Sequence, residues 1–135
     1  MRVFLDTNVI VSAFAARGLC ADLLELVLLE HDLILGRNVL RELDKALRGK
    51  VRLPVDAATE IAGFLVGEAA RVMDGAKPAD VNADPDDARV LGEALAGQAE
   101  LFVTGDAVLL RLGAVGALRI VSPRQFWESL HAGNR

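Results

Sequence analysis

Short apolar runs alternate along the chain with stretches in which apolar residues recur every three or four positions. Five runs stand out: Val3-Phe4-Leu5, Leu33-Ile34-Leu35, Arg71-Val72-Met73, Leu101-Phe102-Val103 and Arg119-Ile120-Val121. They carry little polar alternation, as expected of strands buried on both faces of a parallel sheet. The third is the weakest of the five. Residues 19–30 are apolar nearly all round, which predicts a helix packed on the sheet or on a partner subunit. In 37–48, Leu40, Leu43 and Leu47 recur at helical spacing while Arg41, Lys45 and Arg48 form a separate basic stripe. Residues 55–70 place Ala58, Ile61, Leu65 and Ala69 on one face, and 85–97 do the same with Ala88, Leu91 and Leu95 before Gly97, a natural stop. The last helix opens at Ser122-Pro123-Arg124-Gln125, a capping-box spacing with proline at the first helical position.

This order of strands and helices is that of an α/β domain whose mainly parallel sheet of about five strands is covered on both faces. Asp74–Pro85, with Gly75, Pro78, Asn82 and Pro85 close together, reads as a loop and is the segment expected to move.

Length and composition narrow the class. A chain of 135 residues, 53% hydrophobic and 25% charged, is expected to fold as one domain over 1–135 and is too apolar for global disorder. A net charge of −4 argues against a surface that attracts nucleic acid everywhere, but leaves room for a local basic patch. Six of the fifteen basic residues, Arg37, Arg41, Lys45, Arg48, Lys50 and Arg52, fall in the sixteen positions 37–52. One cysteine, Cys20, and two isolated histidines, His31 and His131, rule out a disulfide framework and a Cys/His zinc cluster. Apolar runs fall short of the roughly 18–20 residues that span a bilayer, and Asp6 interrupts any signal-like start, so a cytoplasmic protein with no membrane partner is expected.

In open parallel sheets, ligands sit beyond the carboxyl ends of the strands. Asp6 follows the first run and Asp106 follows Leu101-Phe102-Val103-Thr104-Gly105, so both project from the same sheet edge. If their strands are neighbours, the carboxylates converge. Convergent carboxylates repel unless protonated or neutralised, and an oxygen-only donor set suits Mg²⁺ or Mn²⁺, ions that activate water and stabilise charge on a phosphodiester. The alternative for Asp6 is an N-cap bonding the amides after Thr7. Asp84 reads as an N-cap with Pro85 at N1 and Asp87 at N3, where the helix dipole favours a carboxylate. Asp87 is therefore either a dipole partner or an ionised, stationary metal ligand. Glu42 lies at the border between the apolar face of 37–48 and the basic stripe, where it is either solvated or beside a phosphate backbone guided by Arg41, Lys45 and Arg48.

Taken together, VFLDTNVIVSAF (3–14), LRELDKAL (40–47), DPDDARVLGEALAG (84–97), LFVTGDAVLL (101–110) and IVSPRQFWESL (120–130) resemble the PIN domains. Within that family they are most similar to the VapC-like ribonuclease toxins of bacterial and archaeal toxin–antitoxin pairs. The resemblance implies a three-layer α/β/α sandwich and Mg²⁺- or Mn²⁺-dependent RNA cleavage. It further implies an antitoxin partner, a homodimer, and an acidic site of Asp6, Glu42, Asp87 and Asp106 supported by Asn8 and Thr104. One departure stands out: members often carry an aspartate where this chain has Val108, so a second metal is expected to be weakly held or recruited only with the substrate, and the number of metals in the free protein stays open.

Two other readings compete. A phosphatase using an aspartyl nucleophile after the first strand wants a second aspartate two positions on, where Asn8 stands. A degenerate PIN-like module that binds RNA or protein without cleaving it is favoured by Val108 and by the absence of tyrosine. Cys20 reads as core packing, His31 as a capping or solvent-facing residue, and Phe126 and Trp127 as one buried and one partly exposed aromatic.

Overall fold

A computed structural model describes residues 1–132; the last three residues of the expected domain lie outside it. The order is β1 (Arg2–Leu5), α1 (Thr7–Ala15), α2 (Leu19–Glu30), β2 (Asp32–Gly36), α3 (Arg37–Gly49), α4 (Val55–Glu68), β3 (Arg71–Met73), α5 (Pro85–Ala96), β4 (Leu101–Val103), α6 (Ala107–Leu112), β5 (Ala114–Val115), β6 (Leu118–Val121) and α7 (Pro123–Ala132). The strands form one sheet in the order β3-β2-β1-β4-β6-β5. The first five in that order pair in parallel, and β5 runs antiparallel to β6.

The five apolar runs are all strands, but the sheet has six rather than five. The extra one, β5, is two residues long and follows β4 and α6 as the first arm of a tight hairpin with β6. Two residues carry no periodicity from which a strand can be read.

Val3, Phe4 and Leu5 of β1 and Leu101, Phe102 and Val103 of β4 are all buried. Successive strand residues point to opposite faces, so burial of every one means that helices cover the central strands on both sides. This is the three-layer arrangement expected. Phe4 and Phe102 are register partners, and their rings stack with centroids 5.3 Å apart and planes 9° from parallel. That pairing ties the two central strands through side chains as well as backbone. The edge strand β3 has Arg71 exposed and Val72 and Met73 half-buried, which explains its weak apolar signature.

Helix ends follow local chemistry. At the start of α7, Ser122 Oγ accepts from the Gln125 amide at 3.1 Å, and Gln125 Oε1 accepts from the Ser122 amide at 2.9 Å. This is the reciprocal capping box read from the sequence. α4 stops at Glu68 rather than 70, because the Ala70 amide already donates to Leu33 O at 2.8 Å to start the β3–β2 ladder. Gly97 does follow α5, but the left-handed residue there is Gln98, with φ 59°. Gly97 is needed for closeness: a Cβ on it would press into Ile34 Cγ2.

The 74–84 segment is irregular, as expected, yet it is anchored at its middle. The Ala79 amide donates to Ala88 O at 2.8 Å, and Ala79 and Val81 pack against the core. Phe126 is buried and Trp127 half-buried, and Cys20 packs partly buried against the core. His31 ends α2, with its Nδ1 3.1 Å from the amino terminus.

Candidate functional site

β1 and β4 are adjacent and parallel, so their carboxyl ends deliver Asp6 and Asp106 to one edge of the sheet. The Asp6 amide continues the ladder by donating to Val103 O at 2.9 Å. Its side chain then turns to cap α1, where Oδ1 accepts from the Thr7 amide at 2.9 Å. Asp6 Oδ2 accepts from Thr104 Oγ1 at 2.8 Å and from Asn8 Nδ2 at 3.3 Å. The buried Thr104 hydroxyl in turn accepts from the Asp106 amide at 3.0 Å, and Asn8 Oδ1 accepts from the Gly105 amide at 3.1 Å. Thr104 and Asn8 therefore lock the turn after β4 onto the turn after β1.

Asp106 caps α6, accepting from the Val108 amide at 2.8 Å and the Leu109 amide at 3.3 Å. Glu42, on α3, accepts from Thr7 Oγ1 at 2.7 Å through Oε2. Asp84 caps α5 through the Asp86 and Asp87 amides, which leaves Asp87 at the third helical position as the sequence implied. The capping reading of Asp6 thus holds together with its convergence on Asp106: one carboxyl does both.

Asp6, Glu42, Asp87 and Asp106 all line one cleft of about 410 Å³, with Thr7, Asn8, Val11, Ser12, Ala46 and Lys50. Four elements of the fold bring them there. Burial and mutual repulsion together raise two of them, Asp6 and Asp87. Burial pushes the Asp6 carboxyl up, hydrogen bonds from Thr104 and the Thr7 amide pull it back, and Glu42 and Asp106 push it up again. Asp87 is raised to about 6, first by burial and then by Asp84, Asp106, Asp6 and Glu42.

The donor set is oxygen-only, the chemistry that Mg²⁺ and Mn²⁺ prefer. Among the described residues no three carboxylate, imidazole or thiol groups enclose a point as they stand. Mg²⁺ keeps several of its waters and is usually held by one or two carboxylates with the substrate's phosphate. An open acidic cleft of this kind therefore fits such an ion.

The basic residues divide differently from the sequence reading. Arg41, Lys45 and Arg48 are exposed but do not line the cleft. Arg48 pairs with Asp44 at 2.8 Å, and Arg41 donates to Asn38 Oδ1 at 3.3 Å. The cation that does line the cleft is Lys50, just past the end of α3. Its signal was positional: Ala46 and Lys50 follow Glu42 at intervals of four, the spacing of one helix face. Val108 is 53% exposed on α6, two residues after Asp106.

A family model described as PIN domain matches residues 2–107. Among solved structures, the chain resembles VapBC2 from Rickettsia felis bound to a DNA fragment from their promoter. The TM-score is 0.64 at 14% identity, covering 90% of this chain and 98% of that one. It also resembles VapBC-1 from nontypeable Haemophilus influenzae, with TM-score 0.63 at 16% identity, covering 92% of this chain and 99% of that one. No curated protein matches the sequence.

Proposed function

The chain belongs to the PIN-domain family, and on that premise we propose that it is a Mg²⁺- or Mn²⁺-dependent endoribonuclease, the cytoplasmic toxin of a toxin–antitoxin pair. The observation that carries this reading is the convergence of Asp6, Glu42, Asp87 and Asp106 on one cleft that also admits Lys50. Asp6, Asp87 and Asp106 would hold the cation, and Glu42 would bind it or orient its water. When bound, the cation supplies an activated water and offsets charge on the attacking and leaving oxygens of a phosphodiester.

The chain's own residues prepare that chemistry. Thr104 and the Thr7 amide hold Asp6 in one orientation and favour its charged form against burial. Thr7 Oγ1 does the same orienting work for Glu42. Asp87, raised to about 6, keeps a proton further into the neutral range than an ordinary carboxyl and releases it on loading. Lys50 meets the scissile phosphate's neighbourhood, while Arg41, Lys45 and Arg48 on α3 steer the RNA backbone without reading bases.

The likeness to VapBC structures supports a cognate antitoxin as partner. Leu29, 75% exposed on the nearly all-apolar α2, supports burial of that helix in a homodimer. Val108 favours a second reading, a PIN-like module that binds RNA or protein without cutting.

Purified protein incubated with single-stranded and structured RNAs separates the two. Cleavage that needs Mg²⁺ or Mn²⁺, stops with chelator and is lost in a folded Asp6→Asn variant is the expected result. RNA binding indifferent to metal, without cleavage, would establish the second reading.

A further inference from the structure

α3 starts directly after β2, and its cap position is Gly36, which has no side chain to accept the free amides of the first turn. No acidic residue in that turn substitutes. The acceptor arrives from another helix. Glu93, on α5, is 1% exposed and accepts from the Asn38 amide at 3.0 Å through Oε2. Its Oε1 has no hydrogen-bond partner among the described residues. The carboxyl lies so close to Gly36 that a Cβ there would fall on it. Glycine at 36 and glutamate at 93 therefore form one joint between the end of β2, the start of α3 and the last turn of α5.

We propose that Glu93 is the positioning residue that fixes α3 on α5 and so sets how Glu42 stands relative to Asp87 across the acidic cleft. Asn38 and Glu42 are four residues apart on α3, one above the other on a single face about 6 Å along the axis. Asp87 and Glu93 share α5. A bond between Glu93 and the Asn38 amide thus connects the helix that carries one wall of the cleft to the helix that carries the other. Glu93 itself does not line the cleft, so it acts through these helices.

A buried carboxyl is a costly way to dock two helices, since an apolar side chain of similar volume would be less expensive to desolvate. What it supplies is direction. Apolar contacts tolerate a helix sliding or turning by a fraction of a residue, whereas a bond to one backbone amide fixes both its height and its rotation. Burial raises the Glu93 pKa, and the Asn38 hydrogen bond with the charge of Arg41 opposes that rise. The surroundings therefore offset part of the cost of keeping the group there.

The test combines amide hydrogen exchange with Mn²⁺ binding by calorimetry; only the second rests on the cation reading of the cleft. In Glu93→Ala, exchange should speed at Arg37, Asn38 and on to Glu42 while β1 and β4 stay protected, and Mn²⁺ affinity should fall about tenfold. Glu93→Gln, which keeps an acceptor for the Asn38 amide, should restore both. The Glu42→Gln/Glu93→Ala pair should bind Mn²⁺ no more weakly than Glu42→Gln alone. If Glu93→Ala does not fold, Glu93→Asp, one methylene too short, takes its place with the same expectations. Exchange that rises equally in β1 and β4, Gln behaving like Ala, or losses that add in the double variant would overturn the proposal. If the unaltered protein binds no Mn²⁺, the cation reading fails, and the exchange pattern alone decides for or against Glu93.

Discussion

Thr104 Oγ1 donates to Asp6 Oδ2 at 2.8 Å while accepting from the Asp106 amide at 3.0 Å. One buried hydroxyl thereby ties together the two carboxylate-bearing turns at the centre of the sheet edge. Replacing Thr104 by valine keeps the shape and removes both bonds, leaving a buried carboxylate short of a donor and an amide without its acceptor. Leaving such groups unpaired costs about 1–3 kcal/mol. Thr104→Val should lower the urea midpoint by a corresponding amount and push the Asp6 titration higher by NMR; an unchanged Asp6 titration would refute this account of its environment.

Asp87 supplies a pH prediction whose sign is fixed. Its carboxyl is raised from 3.8 to about 6, so between those values the native state holds a proton that the unfolded chain has released. Stability tied to this group is complete below 3.8 and is lost as pH rises through about 6. Asp6, also raised, acts in the same direction. Metal-free Asp87→Asn should therefore gain urea resistance relative to the unaltered protein near pH 7 and show no such gain near pH 4. Equal differences at both pH values would contradict the raised pKa.

Neutralising these carboxylates with a cation should stabilise the fold. A ligand present at a hundredfold its dissociation constant adds about 2.7 kcal/mol. Mn²⁺ is therefore expected to raise the melting temperature by several degrees at neutral pH. Asp6→Asn and Asp106→Asn should lose most of that rise, whereas a surface change such as Glu60→Gln should keep it.

Lys50 and Arg48 should behave differently toward RNA although they are two residues apart. Lys50 lines the cleft, whereas Arg48 is paired with Asp44. Lys50→Gln should raise KM and lower the salt slope of single-stranded RNA binding by about 0.7, the loss of one phosphate contact. Arg48→Gln should change both less. Identical effects would mean that the whole basic stripe, rather than the cleft wall, carries the backbone.

Much of the site is legible in the sequence. The strands that build the site are its most apolar runs, and a carboxylate directly after a buried parallel strand has few places to point except the sheet edge. Asp84, Pro85 and Asp87 were readable because capping is local chemistry. What was hidden depended on the distant parts of the chain. β5 exists only because β6 lies beside it. Glu93 sits between Gly92 and Ala94 on α5, where a charged side chain reads as solvated, and its role requires knowing that α5 packs across the end of β2. The choice of Lys50 over Arg48 turned on a salt bridge and a helix face.

The bond between Thr104 and Asp6 joins residues 98 positions apart. Every residue through Thr104 must therefore have left the ribosome before the first and fourth strands can meet. Shorter nascent chains carry Asp6, Glu42 and even Asp87, but not the strand that gathers them. The acidic cleft is therefore a late product of synthesis, and copies that end before β4 lack it by construction of the fold.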